Sequence, residues 1–584
     1  MYEPYAMSRR LTMQGSSRRH SIPARDMNIT DFRRFVVAFI VLALTTVAIT
    51  WPLVWHLSDA LPIGTEHELT VPLLNLWTLW WNATQAMNGF PGYWDAPIFH
   101  PSPGTFSFSE PQLFTGILSI PVWWLTDSSA TVYNITLLLC LFLNGLCAYR
   151  LARSLDMPFS PSLFCGILVI GMPVTAKLLG VLPLIPLFGI LWALEGFVWF
   201  GKEGSIQSAI WAGLGITGQF LSSQQLMLLF APFALLAGII ALHQRQCSQK
   251  AVITLSGVGL VTILACVGFA WGPLQIHQNQ GFTRTDQVVQ ALSALPGDYV
   301  TRPRTALIGF PPREEHDGDT GGLFPGFCVL TLSGLGIVYG LRATKQRRWV
   351  MYFLVVGGAS VVLSFGLNLS IGGWQPFNTL RTVIPGYHEF RSPFRFAILF
   401  QMSLCVFSAF GLWKLWHVQT PFKSVLVLSV VGLLAVLENL AIPQPLHSFP
   451  RVEQQEWVSW LREQGSRRVV AHVPFPGGQH VSDYEFETVR MLAQVQHRKR
   501  LANGYSGYFP PGYSNFQLDM ARHFPTTHLL CFLIQELHVD TIIIDRHWAR
   551  DHEPQLQTFS PLSKPLYEDP QVKIFSLLTT DSRC

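Results

Sequence analysis

Three groups of side chains in this chain have types suited to chemistry. The first is acidic: Glu66, Glu68, Asp95 and Glu110 fall in a stretch with no Lys or Arg between Arg34 and Arg150. A carboxylate so placed can accept a proton as a general base. The second is cationic: Lys177, Arg391 and Arg395. Arginine can hold an anionic oxygen group through two parallel hydrogen bonds, whereas lysine acts as a point charge. The third is amide-rich, with Gln219, Gln224 and Gln225 crowded on one turn. Each group also has an ordinary role. Loop acids are commonly just solvated, Asp95 can brace its loop by capping, and Lys177 can snorkel to a membrane surface.

The elements around these residues set their depth. Within 71–88 the polar Asn75, Thr78, Asn82 and Gln85 recur at helical steps, opposite Leu73, Leu74, Trp77, Trp80 and Trp81. That run is too short to cross a bilayer, and its tryptophans suit the headgroup boundary. A helix lying in the interface is expected, with the acids beside it. The composition agrees: of 584 residues, 49% are hydrophobic and only 13% charged, with a mean hydropathy of +0.31. Soluble chains carry about a quarter charged residues, so most of this one belongs in a membrane. The net charge of +5 says little, because the charges are segregated by side. Six cysteines (140, 147, 165, 266, 328 and 405) lie in apolar runs, and no CxxC spacing occurs. Neither a disulfide framework nor a zinc site is expected. The basic leader precedes no small-residue cleavage site, so the first apolar run reads as a retained span.

The basic residues orient the spans. Residues 1–34 form an arginine-rich cytoplasmic tail, followed by a membrane domain over 35–441 and a polar segment over 442–584. Span one covers 35–55. The apolar run 110–126 is short and contains Pro121. If it stays on one side, Arg150, Arg153, Lys202, Arg245, Lys250, the 342–348 cluster, Lys414 and Lys423 all fall inside. The remaining spans are then 131–149, 161–180, 181–200, 206–221, 225–242, 251–272, 323–341, 349–367, 396–416 and 422–441, about eleven transmembrane helices in all. This leaves 56–130, 273–322, 369–395 and everything after 441 outside. The patch from Pro311 to Asp319 lies in a long loop that is either functional or disordered.

Residues 451–584 alternate helix and strand signals: helices at 452–464 and 527–537, strands at 468–473, 541–545 and 572–577. A small α/β domain is expected. No GxGxxG or phosphate loop appears in it. The run from Leu501 to Pro511 (LANGYSGYFPP) is a turn loaded with aromatics. A structural loop is its commoner meaning, and contact with a sugar or lipid is the other.

Several motifs, taken in order, resemble a known family: Thr50–Val54 (TWPLV), Pro72–Trp77 (PLLNLW), Trp94–Phe99 (WDAPIF), Phe108–Glu110 (FSE), Pro385-Gly386, Phe390–Phe396 (FRSPFRF) and Asn503–Pro511. The chain from Trp51 onward is similar to the GT-C superfamily of integral-membrane glycosyltransferases, and more closely to bacterial multi-pass, mannosyltransferase-like members. The resemblance implies a mainly α, polytopic bundle with interfacial helices in the first outer loop, plus the α/β segment. It implies a plasma (inner) membrane enzyme that moves a sugar from a polyprenyl-phosphate donor to an acceptor glycan, lipid or protein. Relatives carry an Asp just before the LLNLW run, where this chain has Thr70 and Val71.

Sugar transfer with inversion needs a base for the acceptor hydroxyl and cations for the departing phosphate. Glu68 or Glu66 then stands as the base, with Asp95 next. Lys177, Arg391 and Arg395 would take the phosphate, and Gln224 and Gln225 the sugar hydroxyls. His277 has no partner at metal-ligand spacing. No cofactor and no nucleic-acid partner is expected, and no ligand cluster argues for the divalent metal that some GT-C enzymes use. Two alternatives stand behind the enzyme: a non-catalytic relative that binds lipid-linked sugar or supports envelope assembly, and a transporter of lipid-linked sugar. The transporter is disfavoured by the near absence of mid-membrane charges.

Overall fold

A computed structural model describes residues 29–66, 68–314, 320–384, 386–418, 421–465, 468–556 and 563–577. The basic tail over 1–28 and the acidic end of the 311–319 patch lie outside the described residues. The first helix, α1 (Ile29–Ile49), leads through a short strand, β1 (Ala60–Pro62), to α2 (Thr70–Asn88) and α3 (Leu113–Leu125). The bundle continues with α4 (Ser129–Ser154), α5 (Phe159–Ile170), α6 (Pro173–Lys177), α7 (Phe188–Glu203), α8 (Ile206–Ser222), α9 (Gln224–Gln244) and α10 (Gln249–Gln280). After the small α11 (Asp286–Ala291) come α12 (Phe327–Arg342), α13 (Arg347–Ser364), the short α14 (Pro376–Val383), α15 (Ala397–Val418) and α16 (Pro421–Glu438).

Among the described residues, seven helical stretches are long and apolar enough to cross a membrane. Every expected span has a helical counterpart. Two are broken, with α5 and α6 split at Gly171–Met172 and α7 preceded by the 3-10 turn Leu182–Leu184. α8 and α12 have 17 and 16 residues. α3 has 13 residues, about 20 Å of rise and short of the hydrocarbon thickness. Serines 128, 205, 223 and 248 cap α4, α8, α9 and α10, each accepting a first-turn backbone N–H. α12 and α15 pack at backbone contact: a Cβ on Gly336 would strike the Phe407 carbonyl, and one on Gly411 the Leu332 carbonyl. Small residues at helix crossings are how apolar helices bind one another in lipid.

The chain after the bundle runs through β2 (Leu446–Ser448), α17 (Glu456–Glu463), β3 (Val469–Val473), α18 (Glu485–His497), β4 (Arg500–Leu501), α19 (Tyr513–His523), α20 (Thr527–Gln535), β5 (Thr541–Asp545), β6 (Ser563–Glu568) and β7 (Val572–Leu577). The sheet order is β4-β3-β5-β7-β6, with β3 parallel to β4 and β5 and the last two pairs antiparallel. This segment shares a core with the first loop. β1 pairs with β2, Trp77 Nε1 donates to Gln494 Oε1 at 2.8 Å, and Leu73, Trp77, Val458, Met491 and Ile543 join one hydrophobic cluster.

That junction corrects the reading of α2. Trp77, Trp80 and Trp81 are 2, 7 and 8% exposed, so they face protein rather than lipid headgroups. The polar face is covered as well. Asn82 donates to the Pro111 carbonyl and accepts from the Tyr93 hydroxyl, and Gln112 donates to Asn75. A helix whose polar stripe meets the polar start of α3 can be buried all round. One cysteine departs from expectation too, since Cys531 is disulfide-bonded.

Candidate functional site

The bundle end that meets the C-terminal segment gathers the charged residues named from the sequence and sorts them into two groups. In the first, every charge already has a partner. Glu110 lies just past the turn Thr105–Phe108, and its Oε1 accepts from the Gln225 backbone N–H at 2.6 Å and from the Ser223 hydroxyl at 3.1 Å. The carboxylate therefore sits on the positive end of α9. Arg395, only 9% exposed, donates to the Gln225 amide oxygen, and its charge reaches Glu110. Burial outweighs these contacts and pushes the Glu110 carboxyl up to about 7. Gln219 is buried and bonded to the backbone of 186 and 190, which turns it away from any ligand.

Lys177 belongs to this group as well. Its side chain is 1% exposed and its Nζ lies 3.0 Å from Glu314, itself 7% exposed. It does not snorkel. The turn after β1 closes over it, where the Thr65 N–H and hydroxyl both donate to the Lys177 carbonyl. Gly64, with φ +59°, lets that turn approach, since a Cβ there would lie 2.5 Å from the same carbonyl oxygen. Asp95 is used structurally, accepting the Gly104 N–H at 2.8 Å across its own loop.

The second group is less buried. Glu66 and Glu68 are half-buried on the turn between β1 and α2, where the Leu69 N–H next to Glu68 donates to Glu485. Arg391 is exposed and forms no ion pair among the described residues. Arg284 donates to the Gly507 carbonyl at 2.7 Å and lies 3.7 Å over the Tyr508 ring, which stacks on Phe282. Burial pulls the Arg284 guanidinium below its usual range. Tyr508 opposes that, and Arg391 adds to it. His277, at the end of α10, joins Glu389 at 2.9 Å through Nδ1 and the Ser107 carbonyl at 2.7 Å through Nε2. Both nitrogens face acceptors, so both bonds form only when each carries a proton. Burial works against ionisation of Glu389, but the His277 bond prevails and holds its carboxyl below the usual range.

Tyr505 is linked to the less buried group by charge. Burial pushes its phenol up to about 12, and the charges acting on it come from Arg391, Glu66, Tyr484 and Arg284. Charges on the first loop, the loop after α10 and the loop before α15 thus all act on this one tyrosine. The sequence pointed to Glu66 and Arg391 but not to Arg284, Glu314, Tyr505 or the His277–Glu389 pair. His277 and Glu389 are 112 positions apart, and no local spacing signals such a contact. Among the described residues, no group of three or more His, Cys, Asp and Glu is placed to hold a metal ion.

No protein-family profile and no curated protein matches the sequence. Solved structures do. The chain superposes on the mycobacterial arabinofuranosyltransferase AftD with a TM-score of 0.54 at 14% identity, covering 94% of this chain and 40% of that one. The fold is GT-C-like. The Archaeoglobus fulgidus oligosaccharyltransferase in its apo form aligns with a TM-score of 0.47 at 13% identity, over 88% of this chain and 69% of that one. ArnT from Cupriavidus metallidurans gives 0.46 at 10%, over 94 and 99%. At these identities the likeness is one of fold, and AftD carries it. The less buried group is drawn from the first loop, the end of α10 and the loop after it, and the loop before α15.

Proposed function

We propose that this chain is a multi-pass membrane glycosyltransferase that moves a sugar from a polyprenyl-phosphate donor to an extracytoplasmic acceptor, with inversion. The observation that carries the reading is the GT-C-like fold, with Glu66 half-buried on the first loop and Arg391 exposed on the loop before α15. Two arginines brought near one another destabilise each other unless an anion lies between them, and a phosphate supplies that anion. A half-buried carboxylate of the first loop can take the acceptor's proton. Glu66 is the base in this reading and Glu68, on the same turn, its alternate. Asp95, Lys177, Gln225 and Arg395 are engaged in holding the scaffold. Residues of this chain that would meet a divalent metal are the same acids, Glu66 and Glu68.

The orientation follows from charge. Arg153, Lys202 and Arg245 cluster at the far end of the bundle, where Lys202 meets Asp156 at 2.6 Å and Arg245 donates to the Lys202 carbonyl. By the positive-inside rule that end is cytoplasmic. The site and the C-terminal segment are then outside, in an inner membrane, where a disulfide at Cys531 persists.

A second reading has its own support. Thr70, beside the position where relatives carry Asp, is fully buried and donates to the Val481 carbonyl at 3.1 Å. A chain that has closed that position can bind lipid-linked sugar without transferring it. The test is sugar transfer from a polyprenyl-phosphate donor by protein in lipid. Turnover that vanishes in Glu66→Gln while donor binding persists supports the enzyme. Donor binding without turnover in the wild type supports the non-catalytic reading.

A further inference from the structure

We propose that His277 is a proton-dependent clasp: doubly protonated, it holds the first loop and the loop before α15 together, and on losing a proton it releases the first loop. The end of α10 fixes its place. The Phe282 N–H closes on the His277 carbonyl at 3.1 Å, and Gly281, with φ +68°, turns the chain there. The first loop presses against this end, since a Cβ on Gly104 would lie 2.5 Å from the Ile276 side chain. From this position the imidazole reaches both ways. Nε2 meets the Ser107 carbonyl at 2.7 Å, and Nδ1 meets the Glu389 carboxylate at 2.9 Å. The imidazole is 12% and the carboxylate 23% exposed, so the pair is partly shielded from solvent.

Neither partner can donate in return, because a carbonyl and an ionised carboxylate only accept. A neutral imidazole has a single N–H, so on losing a proton it keeps one bond and turns a lone pair toward the other oxygen. The bond to the charged Glu389 is the stronger, and the Ser107 carbonyl is the partner given up. The charged and titratable groups near the ring come from four elements. The loop before α15 brings Glu389 and also His388, which lies 3.7 Å from the other Glu389 oxygen. The loop after α10 brings Arg284, which opposes the imidazolium, and the 501–511 turn brings Tyr508, whose ring is 5.3 Å away. The first loop brings Glu110, whose carboxylate is spent on the start of α9. Burial works against the proton, but the Glu389 and Ser107 bonds prevail and hold it above the usual histidine value of about 6.5. The clasp is therefore complete near that pH and is lost as the pH rises well past it. Glu389 lies two residues before Arg391, so the proton also sets how the first loop sits against that arginine. The clasp needs no ligand and stands apart from the donor reading.

Hydrogen exchange on ligand-free, full-length protein in nanodiscs, corrected for intrinsic rate, tests it at about pH 6.5 and about pH 8.5. The Phe106 and Ser107 amides bond the Trp94 and Gly104 carbonyls. Their protection should fall about five- to tenfold at the higher pH, the worth of one lost hydrogen bond, while α12 and α15 amides keep theirs. In Glu389→Gln the side-chain amide donates to Nδ1 of a neutral imidazole, which leaves Nε2–H for Ser107. That variant should hold the turn at both pH values. His277→Gln should be loose already at the lower pH and lose nothing further. Equal protection of the wild type at both pH values overturns the proposal. The same fall in either variant overturns it too, by assigning the titration to another group. The donor reading is decided separately, by binding of a polyprenyl-phosphate sugar.

Discussion

Lys177 and Arg391 were equal candidates for holding a phosphate, and the structure treats them in opposite ways. Lys177 is nearly inaccessible and neutralised by Glu314, while Arg391 is exposed and forms no ion pair among the described residues. A buried charge without a partner is too costly to keep, so a buried cation or acid arrives with its counterpart and serves the scaffold. A charge left open beside a like charge gains nothing from the fold. Residues that violate the fold's own economy are where ligands are expected. On that ground Arg391 is proposed to bind ligand and Lys177 to hold the scaffold.

The largest effect that can break this assignment is on turnover. Glu66→Gln should lower the rate of sugar transfer by about 10²–10⁴ with donor binding retained, because the amide cannot accept a proton. Glu110→Gln should instead lower yield and melting temperature more than turnover per folded molecule. Rates of the two variants in the same lipid preparation decide it, and the reverse pattern would exchange their roles.

The next effect is on stability. Lys177→Met leaves Glu314 buried without its cation, which costs about 3–5 kcal/mol. Lys177→Met combined with Glu314→Leu should recover most of that, since an apolar pair of similar size replaces the ion pair. Melting temperatures of both proteins in one detergent measure the difference. Equal losses in the single and double variants would mean the pair is not coupled.

A smaller effect sharpens the comparison among the arginines. Arg391→Lys should weaken binding of a polyprenyl-phosphate sugar by about tenfold, because two-pronged contact with the phosphate is lost. Arg395→Lys should leave binding unchanged and show only reduced thermal stability, as expected of a side chain spent on Gln225. Unchanged affinity in Arg391→Lys would make that arginine a loop anchor.

Much of the architecture was legible because its signals are local. Apolar runs of span length, serine caps and the short, proline-bearing α3 can all be read within a window of one helix. The strands β3, β5 and β7 show as buried β-branched runs, and their boundaries differ from expectation by a residue at most. What was misread depends on contacts across the chain. The tryptophans of α2 have the composition of an interfacial belt, but α18, some four hundred residues later, covers them. Glu66 and Arg391 can be named as candidates by charge and by depth. Tyr505, Arg284 and Glu314 cannot, because each acquires its meaning from a neighbour that only the folded chain supplies. The aromatic stretch over 501–511 was weighted toward a structural loop, and it is both pinned as one and turned toward the site.

The last comparison sets the site against the core of the C-terminal segment, where two histidines are buried. His472 and His497 are 3 and 1% exposed and both lie beside Trp457, with ring centroids 5.7 and 6.3 Å away. Neither Nε2 has a hydrogen-bond partner among the described residues. Burial, with Arg490 and then His497 nearby, holds His472 well below the usual histidine range, and burial, with Lys499 nearby, lowers His497 to about 3. Both are neutral in the folded segment and take a proton at about pH 6.5 when it opens. Their contribution to stability is therefore complete above about pH 6.5 and is lost as the pH falls below it, at up to about 1.4 kcal/mol per unit for each histidine. Glu487 works the other way. Burial raises its carboxyl despite Arg490 and Asn503, so the folded form takes up a proton more readily and gains stability on acidification. Two histidines against one acid, whose unfolded value lies near the usual 4.3, leave a net loss between about pH 6.5 and 5. Hydrogen exchange of the β3 and α18 amides, corrected for intrinsic rate, should show opening becoming easier across that interval. His497→Gln should remove about half of the slope, whereas amides in α12 and α15 should show none. A slope unchanged in His497→Gln would mean that the pH dependence comes from elsewhere in the segment. Asn503 bonds His472 and Glu487 through its side chain and Phe99 through its carbonyl, so the same opening should loosen the turn that holds Tyr505.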